Sequence, residues 1–483
     1  MKYIKQSLII VLLIISTTFF TFSCERGKDR KAKNYNVIII SIDALRPDHM
    51  SDYGYSRQTT PNIDAFFKKC TLFKHAVTVY PKTASSMTSM LTGLYPYHHG
   101  VRKNAKDKLR KTIRTLPEIL KGYGYSTAAF ISNVVLKSKL SGLNQGFDVY
   151  DERLQEKELN RNLRERTAAN LIKPAIRWIK ENKEKKFFLW IHFIDPHGPY
   201  TPPKPYNKKF RSKEKKLIDI NLISSYQRRG NLNDANRYID YYDGEIAFMD
   251  ENVGKLLRII NKEVTKRKSL IIFTADHGES LGEHNDYFEH GRRVYDTCLR
   301  IPLAIHLDDV IPENKINDTD QVAIIDIMPT ILDILDIEPR TRMDGKTLLP
   351  LITKNEKLNR EYVFPEVLNQ YKPKTVPKNV DSFKAIRSRD WKYVLAFDKN
   401  GKILSEELYN IANDYSEENN LASKEIDIKN KLKKKLLQEL ERQKKNIFEK
   451  IIDWIETKES KKKRETEINK KDLEALKSLG YVK

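Results

Sequence analysis

Three largely apolar runs stand out along the chain, and each ends in polar residues. Residues 36–43 read Asn-Val-Ile-Ile-Ile-Ser-Ile-Asp. Residues 186–193 lead into Ile194-Asp195-Pro196-His197, and residues 269–275 lead into Asp276-His277-Gly278. A continuous apolar run of this length suits a central strand of a parallel sheet, buried on both faces. Open α/β sheets place their sites at the carboxyl ends of such strands. Asp43, His197, Asp276 and His277 are therefore the first candidates for chemistry.

Helical spacing fills the intervals, over 84–91, 115–122, 165–182 and 241–261. Alternating strands and helices predict an α/β fold, a doubly wound sheet flanked by helices. Residues 201–236 interrupt it with a polar loop carrying Lys204, Lys208, Lys209, Arg211, Lys213, Lys215 and Lys216. Such a loop is either a solvated insertion or a lid facing substrate. Beyond about residue 355 the texture changes, and 382–386, 392–397 and 407–411 predict short antiparallel strands. Residues 424–470 are rich in Lys and Glu, with Leu432, Leu436, Leu437 and Leu440 at helical spacing. They predict an exposed helix packed along one face, a coiled coil being the alternative. The expected organisation is a leader (1–24), a basic tether (25–34), a main domain (35–355), a small C-terminal subdomain (356–425) and a charged helical tail (426–483).

Charge and cysteines refine this. The chain of 483 residues carries 88 basic against 65 acidic side chains, a net charge of +23. That favours anionic partners, a lipid surface or an anionic substrate. No zinc knuckle, helix-turn-helix signal or aromatic-rich basic motif accompanies the charge, so nucleic acid is not expected. Lys2 and Lys5 precede the apolar run 8–22, and Ser23-Cys24 follows. This layout is an export signal and resembles a bacterial lipoprotein signal, with Cys24 as the lipidated first residue. Cleaved soluble export and an uncleaved anchor are the alternatives. The expected location is the membrane surface, facing the periplasm or cell exterior, with the basic tether against acidic head groups. Cys70 and Cys298 are read as buried free thiols rather than a bridge.

Several motifs share one order. Asp43-Ala44-Leu45-Arg46-Pro47-Asp48-His49 comes first, and Tyr80-Pro81-Lys82-Thr83 follows, with Leu91-Thr92-Gly93-Leu94-Tyr95-Pro96 and His99-Gly100 behind it. Next come Asp276-His277-Gly278-Glu279, Asp344-Gly345-Lys346 and Glu407-Leu408-Tyr409-Asn410. Over about residues 35–425 the chain resembles the sulfatases of the alkaline phosphatase superfamily. The resemblance implies an alkaline-phosphatase-like mixed sheet with a small C-terminal antiparallel sheet. It also implies hydrolysis of an anionic ester with one divalent metal ion, held by Asp43, Asp276, His277 and Thr83. His197 and His290 match substrate-contacting or catalytic positions, and Asn104 supplies a further polar contact; His192 is read as structural. An imidazole ligand moves the metal preference from calcium toward zinc or manganese.

Four positions depart from the family pattern. Thr83 stands ten residues before Gly93, where sulfatases carry the Cys or Ser that becomes formylglycine. Met87 replaces an Arg, Ala44 replaces a second Asp, and Ala129–Asn133 lacks the usual Lys and His. Oxidised Thr gives a ketone at Cβ, not an aldehyde, so release of sulfate through formylglycine is not expected. Metal coordination can instead activate the Thr83 hydroxyl directly. Nucleotide phosphodiesterases and phosphoethanolamine transferases of the superfamily place Thr here, which shifts the expectation toward phosphoester or phosphodiester cleavage or phosphoryl transfer. The alternatives are a sulfatase without formylglycine and a non-catalytic anion-binding lipoprotein.

Overall fold

The computed structural model describes residues 32–161, 163–369 and 376–460, with side chains up to residue 444. Cys24, the leader and the end of the charged tail lie outside the described residues. The main sheet takes, in chain order, β1 (Asn36–Ile42), β2 (Thr71–Phe73), β3 (Ser126–Ile131), β4 (Val149–Asp151), β5 (Phe187–Phe193), β6 (Ser269–Ala275), β7 (Leu303–His306) and β8 (Lys315–Asn317). Their spatial order is β8-β2-β7-β6-β1-β5-β3-β4. The three apolar runs are the adjacent strands β6, β1 and β5, all parallel. β7 runs antiparallel to both β6 and β2, so the sheet is mixed. Ile42 pairs with Phe193 on one side and Ala275 on the other. The three strands therefore end level, and their polar residues emerge at one edge.

Helices α1 (Thr83–Thr92), α2 (Leu116–Gly122), α3 (Ala168–Asn182), α4 (Ala235–Glu263) and α5 (Ile327–Ile334) accompany the sheet. α2 begins where its pattern requires, because Thr115 and Glu118 form a capping box. α3 begins at Ala168 rather than 165. The Asp195 carboxylate accepts from the Ala168 N–H at 2.9 Å, while Arg164–Glu165 pairs with Glu156–Lys157 in a ribbon. α4 starts earlier than its apolar spacing, since Asp234 caps it through the Asn236 N–H.

The C-terminal sheet has strands β9 (Glu366–Leu368), β10 (Ser382–Arg387), β11 (Trp391–Phe397) and β12 (Ile403–Asn410), antiparallel throughout. The charged helix α6 (Ile426–Ser460) lays Leu432 and Leu436 on Ile386, Tyr393, Leu395 and Leu408 of this sheet. A buried ion network joins the sheet to the main body. Asp296 accepts from Arg387 (Nε 3.0 Å, Nη2 2.6 Å) and from Lys392 Nζ at 2.9 Å. Lys392 also pairs with Glu417 at 2.5 Å. Cys70 and Cys298 are buried and unbridged. Among the described residues no helix is long and apolar enough to cross a membrane.

Candidate active site

Thr83 is placed by a helix that is buried over its whole length. Burying a polar helix calls for partners for its hydroxyls, and most here find them, Ser85 Oγ being the exception. Thr88 and Thr92 donate to carbonyls one turn back, of Ala84 (2.6 Å) and Thr88 (2.7 Å). Ser86 Oγ donates to the Asp276 carbonyl at 2.6 Å, tying α1 to the end of β6. Asn104 Oδ1 accepts from the Ala84 N–H at 3.2 Å in the first turn. Held this way, Thr83 Oγ1 lies 3.4 Å from His277 Nε2.

The protons around Asp43, Asp276 and His277 can be assigned from partners that only accept or only donate. His277 Nδ1 is 2.8 Å from the Gly278 carbonyl, so Nδ1 carries the hydrogen and Nε2 presents a lone pair. Asp276 Oδ1 accepts from the N–H groups of Ala44 (3.0 Å) and His277 (2.7 Å). Ala44 reaches this position with a left-handed φ of 56°. Asp43 Oδ2 accepts from Asn133 Nδ2 at 2.6 Å. Trp190 Nε1 donates to Ser41 Oγ, which also contacts His192 Nδ1 at 2.9 Å and the Ile191 carbonyl at 3.5 Å. His192 Nε2 lies 3.4 Å from Asp43 Oδ2.

Two carboxylate oxygens remain without a hydrogen-bond partner, Asp43 Oδ1 and Asp276 Oδ2, both fully buried. His277 Nε2, with no hydrogen to offer, lies 3.7 Å from the first and 3.3 Å from the second. These three donor atoms, turned toward one another with no other partner for either carboxylate oxygen, form a set able to take a cation. Ligand atoms each about 2.1 Å from one tetrahedral ion stand about 3.4 Å apart, and the separations of His277 Nε2 from Asp43 Oδ1, Asp276 Oδ2 and Thr83 Oγ1 (3.7, 3.3 and 3.4 Å) are near that spacing. Asp43, His192 and Asp276 also form a geometric group able to hold an ion. Burial works to raise the Asp43 pKa, but His197, His192 and His277 hold it well below the carboxylate range. Burial and the neighbouring Asp43 charge drive Asp276 the other way. A bound cation relieves that conflict.

A cavity of about 600 Å3 opens over Thr83. Lys82, Asn104, Asn133, His197 and His290 share its wall with Thr83, while Asp43, Asp276 and His277 lie buried outside that lining. His290 stacks on His277 (ring centroids 4.2 Å apart) and meets His197 edge-on at 5.0 Å. His197 Nδ1 donates to the Gly198 carbonyl at 2.7 Å, and His290 Nδ1 faces Glu279 Oε1 at 2.9 Å. Burial lowers the pKa of both imidazoles. Burial pushes Glu279 up to about 7 against the pull of His197 and His277.

All seven site residues expected inside the described chain thus gather at one edge of the sheet. The exposed lysines of 204–216 face solvent, whereas Ser224, Ser225 and Tyr226 of the same insertion line the cavity. Asn133, Lys82 and Arg161 were not anticipated there. Arg161 lies over the Tyr226 ring at 4.1 Å, and Asn160 Nδ2 donates to the carbonyls of Tyr226 (2.7 Å) and Arg228 (2.6 Å). Two loops distant in sequence so meet over one side of the cavity.

A family profile described as Sulfatase matches residues 35–337. The chain belongs to the sulfatase family. A second profile, N-sulphoglucosamine sulphohydrolase, C-terminal, matches residues 282–446. An N-acetylglucosamine-6-O-sulfatase of Bacteroides thetaiotaomicron is 24% identical, with 92% of each chain covered. A solved structure in complex with its substrate D-glucosamine-2-N,6-O-disulfate superposes with a TM-score of 0.69 at 21% identity, covering 86% of this chain and 98% of the other. The phosphonate monoester hydrolase of Agrobacterium radiobacter gives 0.68 at 21% identity, over 85% and 96%. The sulfatase-family hydrolase fold is therefore shared by proteins named for sulfate esters and for phosphonate esters.

Proposed function

We propose that this sulfatase-family hydrolase cleaves an anionic ester with Thr83 as nucleophile, and that the transferred group is phosphoryl rather than sulfuryl. The observation that carries the reading is Thr83 Oγ1, 3.4 Å from His277 Nε2 and on the wall of the cavity. Asp43, Asp276 and His277 would hold one divalent cation, zinc or manganese before calcium, which would lower the pKa of the Thr83 hydroxyl and stabilise charge on the transferred group.

The chain's own residues account for the proton. Oγ1 attacks phosphorus as the ester oxygen departs, giving phospho-Thr83 and the free alcohol. The neutral imidazoles of His197 and His290 can present Nε2 lone pairs to the cavity, because Nδ1 is engaged by Gly198 and Glu279. One of them takes the Thr83 proton and hands it to the leaving alkoxide. In the second half the same nitrogen takes a proton from water as its oxygen attacks phosphorus, and returns it to Oγ1. Asn104 keeps the first turn of α1 in place through the Ala84 N–H. An acceptor other than water would make the same sequence a phosphoryl transfer.

The second reading is a sulfatase without formylglycine, favoured by the relatives named above. Assays on an aryl sulfate, a phosphate monoester and a phosphodiester, with zinc or manganese, separate the two. We expect phosphoester turnover that Thr83→Ala abolishes; sulfate release that survives this substitution would sink the Thr83 mechanism. We further propose that the protein is exported and anchored through lipidated Cys24, facing the periplasm or cell exterior; an N-terminal peptide mass without acyl chains would remove that placement.

A further inference from the structure

Lys82 occupies its position against three local rules. It is the N-cap of α1, yet it makes no capping hydrogen bond, where Ser, Thr, Asp or Asn would satisfy a free N–H. It places a positive charge at the positive end of the helix dipole, where anions are favoured. It is also 8% exposed. Among the described residues its ammonium donates to the Leu368 carbonyl at 2.9 Å and meets no carboxylate. The other charge that bears on it is a further cation, Lys103. A buried charge without a partner costs several kcal/mol, so a chain that keeps one has a use for it.

The surroundings are built to admit this side chain. A Cβ on Gly291 would stand 2.6 Å from Lys82 Cε and 2.7 Å from Cγ. A side chain at Gly291, directly after His290, would push the lysine stem aside, and its φ of 68° favours glycine as well. The ammonium has three donors, and Leu368 takes one. Lys82 lines the same cavity as Thr83 and His290. In the segment after β3, where the family carries a Lys and a His, this chain has Asn133, which lines the same cavity and is engaged with Asp43.

We infer that Lys82 is an anion-binding residue of the cavity: its ammonium holds a non-bridging oxygen of the transferred phosphate or sulfate group and takes over the cationic role of the missing family lysine. The inference rests on the reading of the cavity as the site of an anionic ester, but not on Thr83 as nucleophile. It makes the empty protein less stable than it could be and gives the anion its missing counter-charge.

Two readouts with opposite signs test this on the full chain with zinc supplied. Lys82→Met should weaken binding of inorganic phosphate about 10- to 100-fold, the worth of a charge-assisted hydrogen bond. The same variant should match or exceed the wild-type Tm in phosphate-free buffer, because an uncompensated charge has gone. Lys82→Arg should retain more of the phosphate affinity than Lys82→Met. Inorganic sulfate in parallel shows which oxyanion the charge serves. Wild-type phosphate affinity in Lys82→Met, or a Tm lowered by several degrees without phosphate, would overturn the inference and make Lys82 a structural cation. Lost phosphate binding in Lys82→Met beside a wild type that cleaves no ester would leave Lys82 standing and remove the nucleophile reading instead.

Discussion

Asp296 is the point where the C-terminal sheet grips the site, and Asp296→Asn tests that grip. The substitution keeps shape and removes one charge. Arg387 and Lys392 side chains are 2% and 0% exposed, so water cannot compensate them. The bidentate contact to Arg387 would lose one oxygen acceptor, and the Lys392 bond would weaken to a neutral partner. Breaking one side of a buried ion network costs about 3–5 kcal/mol, a large share of the stability of an ordinary domain. The effect reaches the site through Gly278, whose N–H donates to the Cys298 carbonyl at 2.9 Å, in the turn that Asp296 opens. Urea unfolding followed by circular dichroism gives the loss, and metal content of the purified variant reports the site. Replacing Arg387 by Met as well restores charge balance and should recover part of the loss. A penalty below about 1 kcal/mol for Asp296→Asn, with metal retained, would refute the claim that this network clamps the sheet to the site.

Two further outcomes follow from particular contacts. In Gly278→Ala the new Cβ would lie 2.1 Å from the Thr297 carbonyl oxygen. The loop bearing Asp276 and His277 must then shift by about 1 Å, and about a 100-fold loss of turnover is expected, with reduced zinc content by elemental analysis; unchanged turnover would show that the loop yields elsewhere. His99 is 1% exposed, accepts the Val101 N–H at Nδ1 and faces Ser89 at Nε2. Burial, with help from Arg102, lowers its pKa to about 3. The unfolded chain binds this proton near pH 6.5, so the contribution is complete above 6.5 and falls as pH drops toward 3, by up to about 1.4 kcal/mol per pH unit. His99→Gln should flatten the difference in stability between pH 6.5 and 4, and an unchanged slope would contradict the assignment.

The three central strands were legible because a strand buried on both faces writes itself as an unbroken apolar run. Their polar ends led directly to Asp43, Asp276, His277 and His197. β2 and β8 left no such trace, since three-residue strands near the sheet's edge carry too little pattern. The ribbon of Glu156–Lys157 with Arg164–Glu165 is two residues long per strand and wholly charged, and no periodicity marks it. Asn133 follows β3 at the same sheet edge, so the strand-end rule that identified Asp43 applied to it equally. Comparison with a family Lys and His drew attention to what the segment lacked instead. Lys82 was visible only as the neighbour of Thr83; its burial and its missing counter-ion belong to the tertiary structure. The boundary of α3 moved because Asp195, far along the chain, supplies its cap.

Turnover through Thr83 requires that its hydroxyl become covalently modified. Acid quenching of the zinc-loaded protein with an aryl phosphate, followed by peptide mass spectrometry, reads this directly. A phosphoryl group on Thr83 is expected, seen with substrate, absent without it and absent in Thr83→Ala together with the activity. Full turnover with Thr83 unmodified, and persisting in Thr83→Ala, would contradict it.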